Sequence, residues 1–250
     1  MNIDEFVELA RTRRSVRRFK PDPVPDEYIE KMLEAARWAQ SGANAQPWEF
    51  IVVKNKGVKD KIVAFHEEHR RRAWAIEKTR IKELRHPAYT DGIKPGSPGF
   101  KNAPVFIVVC GDPRTIQASV LITHFLANEG GPGAHFLKGI GNTTQIIHLA
   151  AASLGLGTQW VSVNVCLEAS LKKLLDVPDE LAIHTIIPVG YPAIVPPASY
   201  RREREEFVHY EKYDQTKFRS GDDVYEYLVD LRLRSHPSYK HYIKEDKSKE

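Results

Sequence analysis

The chain has 250 residues, 42% of them hydrophobic and 28% charged, with a formal net charge of +4 at pH 7. That is an ordinary soluble composition with enough apolar residues for one substantial core, and the charge excess is too mild to predict nucleic-acid binding. Only two cysteines occur, Cys110 and Cys166, with no Cys-x-x-Cys and no disulfide framework, so a reducing, cytoplasmic setting is expected. The acidic start Met1–Glu5 lacks a signal-peptide core, and no apolar stretch approaches the length of a membrane span.

Asp4 to Arg11 reads as a short helix with Phe6, Leu9 and Ala10 on one side. A basic run, Arg13 to Phe19, follows, and Pro21, Pro23 and Pro25 then force an extended connection. Asp26 is expected to cap the next helix, where Ile29, Met32, Leu33 and Ala36 recur at helical spacing as far as about Gln40. A turn over Ser41–Pro47 leads to a buried strand, Phe50–Val53, and Asn55-Lys56-Gly57 is turn chemistry. Val58 to about Arg85 is a long, highly charged helical stretch, and His86–Lys101, rich in proline and glycine, reads as a loop. Pro104–Cys110 is the clearest central strand, closed by Gly111-Asp112-Pro113. Gly130–Gly133 marks a break. Asn142–Leu154 is a nearly all-apolar helix and so a buried one, with Gly155 as its C-terminal cap. Thr158–Val165 is expected as a strand, Glu168–Leu175 as a helix and Leu181–Val189 as a third strand. After Gly190-Tyr191-Pro192 comes the basic segment Arg201–Arg204, then a weak helix, Asp222–Leu231, and a lysine-rich frayed tail. Spacing alone does not separate a doubly wound sheet from an α+β sandwich.

Two runs carry chemistry. Arg13-Arg14-Ser15-Val16-Arg17-Arg18 gathers cations and a hydroxyl within a few residues, a donor set that suits a phosphate monoester. Ser41-Gly42-Ala43-Asn44-Ala45-Gln46-Pro47-Trp48 gathers small residues and two amides in a proline-terminated turn, which can approach a flat polar heterocycle and hydrogen-bond its edge. Other features read more plainly. Gly155-Leu156-Gly157 lacks a third glycine and follows a helix, so it is not a dinucleotide fingerprint. His66-Glu67-Glu68-His69 lacks the His-Glu-x-x-His spacing of a metal site and reads as a solvated helix. Arg70-Arg71-Arg72 reads as a charged helix surface.

In this order and near the N-terminus, the two runs resemble the FMN-dependent nitroreductase superfamily. Ala150–Thr158 and Pro188–Pro192 with the basic cluster after it extend the resemblance over roughly residues 8 to 210. It implies an α+β fold: a central, mostly antiparallel sheet flanked by helices, in an intertwined homodimer with FMN at the subunit interface. It implies that Arg13, Arg14, Ser15 and Arg17 bind the FMN phosphate and ribityl chain, and that Ser41 and Asn44 reach the flavin from the partner subunit. By the same resemblance Trp160, Val161, Ser162 and Val163 lie beside the isoalloxazine with a backbone donor to N5. Arg201, with Arg202 as the alternative, returns to the phosphate.

The implied activity is reduction of nitroaromatics, quinones or similar electron-poor acceptors by NADH or NADPH in a ping-pong sequence. No catalytic side chain, metal, nucleic acid or membrane is called for. Relatives on the same fold carry out reductive dehalogenation, flavin destruction or dehydrogenation, and a flavin-binding protein without turnover is a further alternative. The expected organisation is a flavin-binding domain over residues 1–211, with a variable lid at 66–101, and a C-terminal extension over 212–250.

Overall fold

A computed structural model of the protein describes residues 1–79, 97–118 and 132–235. The chain divides into two compact units, Met1–Pro196 and Pro197–Glu250. Among the described residues, the first unit holds five helices and five strands: α1 (Ile3–Thr12), α2 (Asp26–Ala36), β1 (Trp48–Val53), α3 (Lys56–Glu77), β2 (Val105–Gly111), α4 (Pro132–Ser153), β3 (Gly157–Thr158), β4 (Val161–Ser162), α5 (Val165–Leu175) and β5 (Ala182–Gly190). The second unit contributes α6 (Gly221–Ser235).

The fold is α+β, as the resemblance implies. The sheet runs β1-β2-β5-β3, with β4 also on β5, and every one of these pairings is antiparallel. All seven residues of β2 are buried, because alternate side chains enter two different cores. Val105, Ile107 and Val109 pack with Ile29, Met32 and Ala36 of α2 and Ile140, Ile147 and Ala151 of α4. Phe106, Val108 and Cys110 pack with Ile62 of α3 and Leu167 and Leu171 of α5. Two helices therefore cover each face. The extra-apolar pattern of β2 follows from burial on both sides rather than from parallel pairing.

Several boundaries differ from the sequence reading for identifiable reasons. Asp26 is the first helical residue and Pro25 precedes it as the cap, while the Asp26 carboxylate pairs with Lys54 at 2.7 Å. α2 stops at Ala36 rather than near Gln40, and the Thr143 hydroxyl of α4 donates to the Ala36 carbonyl at 2.9 Å, satisfying an acceptor that helix continuation would have used. Asn55 is a helix cap, not a turn residue: its side chain accepts from Val58 N–H at 3.1 Å and starts α3 at Lys56. α4 begins at Pro132, within the expected break, since proline suits a first helical turn. The end of the charged stretch, most of the His86–Lys101 loop and the lysine-rich tail lie outside the described residues. α4 ends at Ser153 rather than Leu154, and Gly155, at φ 73°, closes the turn after it, its N–H donating to the Ala152 carbonyl at 3.0 Å.

The expected strand Thr158–Val165 is broken into two pairs of residues, and Val165 already belongs to α5, capped by Asn164. Gly157 and Thr158 face Gly190 and Val189, and Val161 and Ser162 face Ile186 and Thr185. The register therefore continues unchanged across Gln159 and Trp160, where only the ladder is interrupted.

Candidate functional site

The basic run is pinned to the sheet edge by its backbone. Ser15 forms a parallel bridge with Thr158, and Val16 N–H donates to the Thr158 carbonyl at 2.8 Å. Further along, Lys20 N–H donates to the Tyr191 carbonyl and Ala193 N–H to the Arg18 carbonyl, both at 2.9 Å. Val16 and Phe19 are the buried members of the run and enter the core beside β2 and α5. That leaves Arg17 and Arg18 exposed and Arg13, Arg14 and Ser15 half-buried.

Two glycines make this close approach possible. A Cβ on Gly157 would lie 2.5 Å from Val16 Cγ2, and a Cβ on Gly99 would overlap the Arg17 carbonyl oxygen at 2.2 Å. The structure thus joins two regions separated by about 140 residues of chain. It brings Arg13 and Ser15 to the start of the segment that continues through Trp160, Val161, Ser162 and Val163. Arg14 is directed elsewhere: its Nη1 donates to the Arg11 carbonyl and, at 3.0 Å, to the Arg13 carbonyl, closing the C-terminal end of α1.

His148 of α4 lies beneath this junction. It is 5% exposed, and its Nδ1 is 2.7 Å from the Thr158 hydroxyl. Its ring sits 6.2 Å from that of Trp160, which is itself exposed. Burial, reinforced by the Arg13 charge, pushes the imidazole down to about 4 and keeps it neutral. Beside Trp160, Gln159 Oε1 is buried without a hydrogen-bond partner among the described residues. Val161 is buried, Val163 half-buried and Ser162 exposed.

The Ser41–Pro47 turn is placed differently. It contains a short 3₁₀ turn, Gly42–Asn44, and three non-glycine residues in the left-handed region: Ala43 (φ 53°), Asn44 (φ 52°) and Gln46 (φ 46°). Asparagine tolerates this region; alanine and glutamine there cost about 1 kcal/mol or more each. The Ser41 hydroxyl accepts from Gln46 N–H at 2.9 Å, and Gln46 Nε2 donates to the Asn44 carbonyl at 3.2 Å, which hold the bend. The turn rests on α4 near Gly139, and Asn142 Nδ2 donates to the Gln40 carbonyl at 3.0 Å.

Gly139 and His148 are two and a half helical turns apart, about 14 Å along the axis and on opposite sides of α4. Within one chain, α4 therefore separates Ser41 and Asn44 from Arg13 and Ser15. Arg201 is in the second unit, exposed, with Nη1 donating to the Tyr200 carbonyl at 2.8 Å. Arg202 is engaged locally, with Nη2 donating to the Glu206 carbonyl at 2.7 Å and its guanidinium over Phe207.

On α3, His66 packs edge-on against Phe100 with ring centroids 5.1 Å apart, and burial pushes it down to about 4. His69 instead meets the Asn164 side chain. Among the described residues no group of His, Cys, Asp and Glu is arranged to hold a metal, and no helix is long and apolar enough to cross a membrane. Sequence reading missed His148 and Gln159. A lone histidine in an apolar helix carries no pattern, and Gln159 stands out only once its neighbours are placed.

A family model described as the nitroreductase family matches residues 10–191. A Methanothermobacter thermautotrophicus protein whose name proposes NADH dehydrogenase/NAD(P)H nitroreductase activity is 30% identical over 191 residues, covering 76% of this chain and 78% of its own. Iodotyrosine deiodinase 1 of Rattus norvegicus is 32% identical over 200 residues, covering 77% of this chain and 64% of the relative. Among solved structures, an oxidized iodotyrosine deiodinase bound to FMN and 3-iodo-L-tyrosine aligns with a TM-score of 0.64 at 26% identity, over 83% of this chain and all of that one.

Proposed function

Because this chain belongs to the nitroreductase family, we propose that it takes electrons from NADH or NADPH through FMN and delivers them to nitroaromatics, quinones or similar electron-poor acceptors in a ping-pong sequence. It is an FMN-dependent oxidoreductase. The observation that carries the proposed site is the backbone junction of Val16 with Thr158, which sets guanidinium and hydroxyl donors beside the Trp160–Val163 segment.

The residues present fit this cofactor. Arg13, Ser15 and Arg17 hold the phosphate and ribityl chain through charge-assisted hydrogen bonds. Of the two arginines that the resemblance offers from the second unit, Arg201 is the better candidate, since Arg202 is already held by Glu206 and Phe207. Arg14, occupied at the end of α1, contributes charge rather than a direct bond. The interrupted ladder at Gln159 and Trp160 lies where a backbone donor to a flavin edge is expected, and Gln159 Oε1 is a buried acceptor without a donor among the described residues. When bound, the flavin supplies the hydride chemistry, and the protein supplies binding, orientation and electrostatics.

The working unit is a homodimer in which Ser41 and Asn44 of one copy complete the site begun by Arg13 and Ser15 of the other. Three observations support this. α4 separates the two donor sets within a chain. α1 has no buried residue although Ile3, Phe6 and Val7 align on it. In the second unit, residues 197–231 include none in the buried class, while Phe207, Tyr210 and Phe218 are exposed, an apolar surface that a partner copy would cover. Segment 66–101 is kept as the proposed acceptor lid; its residues 66–77 belong to α3, and residues 80–96 lie outside the described residues. A cytoplasmic location accords with a buried free Cys110 and an exposed free Cys166.

Anaerobic absorbance spectroscopy with NADH and then NADPH tests the reading. Bleaching of a flavin band by either donor is the expected result; a colourless protein that takes up no added FMN refutes it. A second reading, reductive dehalogenation, is favoured by the deiodinase relatives. Halotyrosines and halophenols compared with nitro compounds and quinones as acceptors separate the two.

A further inference from the structure

We propose that His148 is a positioning residue for the flavin phosphate, acting through Thr158 on the Arg13–Val16 loop. The inference rests on the FMN reading above and adds a residue that does not itself touch the ligand. The chain of contacts is short. His148 Nδ1 meets the Thr158 hydroxyl at 2.7 Å, and the Thr158 carbonyl receives Val16 N–H at 2.8 Å. Ser15 bridges to the same Thr158. One residue of β3 is thus held by α4 through its side chain and holds the phosphate loop through its backbone.

Two further observations give the imidazole a role beyond filling space. A buried imidazole has a desolvation cost that a leucine would avoid, and its one described hydrogen bond goes to Thr158. Its charge state also matters to Arg13. Held neutral by burial, with the Arg13 charge adding to the effect, His148 can make a short hydrogen bond without placing a second cation beside Arg13. A cation in place of His148 would repel Arg13, and a plain aliphatic group would leave the Thr158 hydroxyl unpartnered and its backbone less constrained. The ring's proximity to Trp160 gives the same residue a hand in where the 160–163 segment begins.

The effect should therefore be specific to the phosphate end of the ligand. The test measures the affinity of purified protein for FMN and for riboflavin by flavin fluorescence, in the wild type, His148→Leu, His148→Asn and Thr158→Val. In His148→Leu and Thr158→Val the preference for FMN over riboflavin should fall about tenfold. In His148→Asn, whose amide can reach the Thr158 hydroxyl, the preference should stay within about threefold of wild type. An unchanged preference in His148→Leu, or equal loss of both flavins, overturns the positioning role. Should His148→Leu fail to fold, Thr158→Val decides by the same ratio, since it removes the hydroxyl at nearly constant volume. A wild-type protein that binds neither flavin would sink the FMN reading itself, a result visible before any variant is compared.

Discussion

Replacing Gly157 by alanine should displace the phosphate loop and weaken FMN binding. The added Cβ would lie 2.5 Å from Val16 Cγ2 and 2.7 Å from Val16 Cβ. Carbon atoms prefer about 3.5–4.0 Å, so Val16 must retreat by roughly 1 Å. It has little room: the side chain is 3% exposed within the core beside β2, and its N–H is tied to Thr158 at 2.8 Å. A retreat of that size overpacks the core or stretches the bond out of hydrogen-bonding range, at a cost of about 1–3 kcal/mol in stability. Some of the same displacement moves Arg13 and Ser15, and each 1.4 kcal/mol lost from the bound state weakens FMN about tenfold. Thermal unfolding and fluorescence titration of Gly157→Ala check both effects. The cause is tested by a double-mutant cycle with Val16→Ala, which alone creates a cavity costing about 2 kcal/mol but removes Cγ1 and Cγ2, two of the three clashing atoms, and so relieves part of the overlap. The double variant should be more stable than the two costs predict when added. Strict additivity, or wild-type FMN affinity in Gly157→Ala, would refute the argument that this contact sets the loop.

Acid should destabilise the flavin-free protein well before its carboxylates are protonated. His148 and His66 are both held down to about 4 in the folded state, against an ordinary 6.5, so the unfolded chain binds more protons between those values. Their contribution to stability is full above pH 6.5, falls as the pH drops toward 4 and is then spent; for His148 it amounts to at most about 3 kcal/mol. Unfolding midpoints between pH 7 and 4 should show this slope, and it should be shallower in His148→Leu; a flat wild-type profile contradicts the burial argument. Arg17→Ala should lower FMN affinity by about tenfold or more, as expected for a lost charge-assisted bond, while changing riboflavin affinity little. Equal affinities for FMN before and after the substitution would remove Arg17 from the phosphate site. Phe6→Glu places a charge on the uncovered face of α1 and should shift sedimentation toward the monomer with loss of bound flavin; a flavin-loaded dimer would show that α1 lies outside the interface.

Much of this architecture was legible in the sequence because its signals are local. The β2 strand announces itself by an unbroken apolar run rich in β-branched residues, and Gly155 by its position after an apolar helix. The Arg13–Arg17 run shows its donor chemistry before any fold is known. What the sequence concealed is relational. Asn55 and Pro132 looked like chain breaks, yet each starts a helix, since capping and first-turn residues share the composition of turns. The gap at Gln159 and Trp160 is invisible without the β5 register, and His148 becomes notable only when β3 lies against α4. Arg14 belongs to the basic run by sequence, but its proximity to the last carbonyls of α1 gives it a structural task.

The strained turn and the naked helix point to one conclusion. Ala43 and Gln46 are held in the left-handed region at a cost of about 1 kcal/mol or more each, on a turn whose polar atoms largely bond to one another. Such strain persists where surrounding structure fixes it, and α4 does so through Asn142 and the close approach of Gly139. Within one chain, α4 stands between that turn, packed near Gly139, and the proposed phosphate donors Arg13 and Ser15, near His148, positions about 14 Å apart along its axis. A second copy that covers the apolar face of α1 and the aromatic side chains of residues 207–218 would give the turn a ligand to meet and the extension a core. The same association would then account for the strain of Ser41–Pro47, the unburied face of α1 and the division of the donor set, three features that a monomer leaves without a common cause.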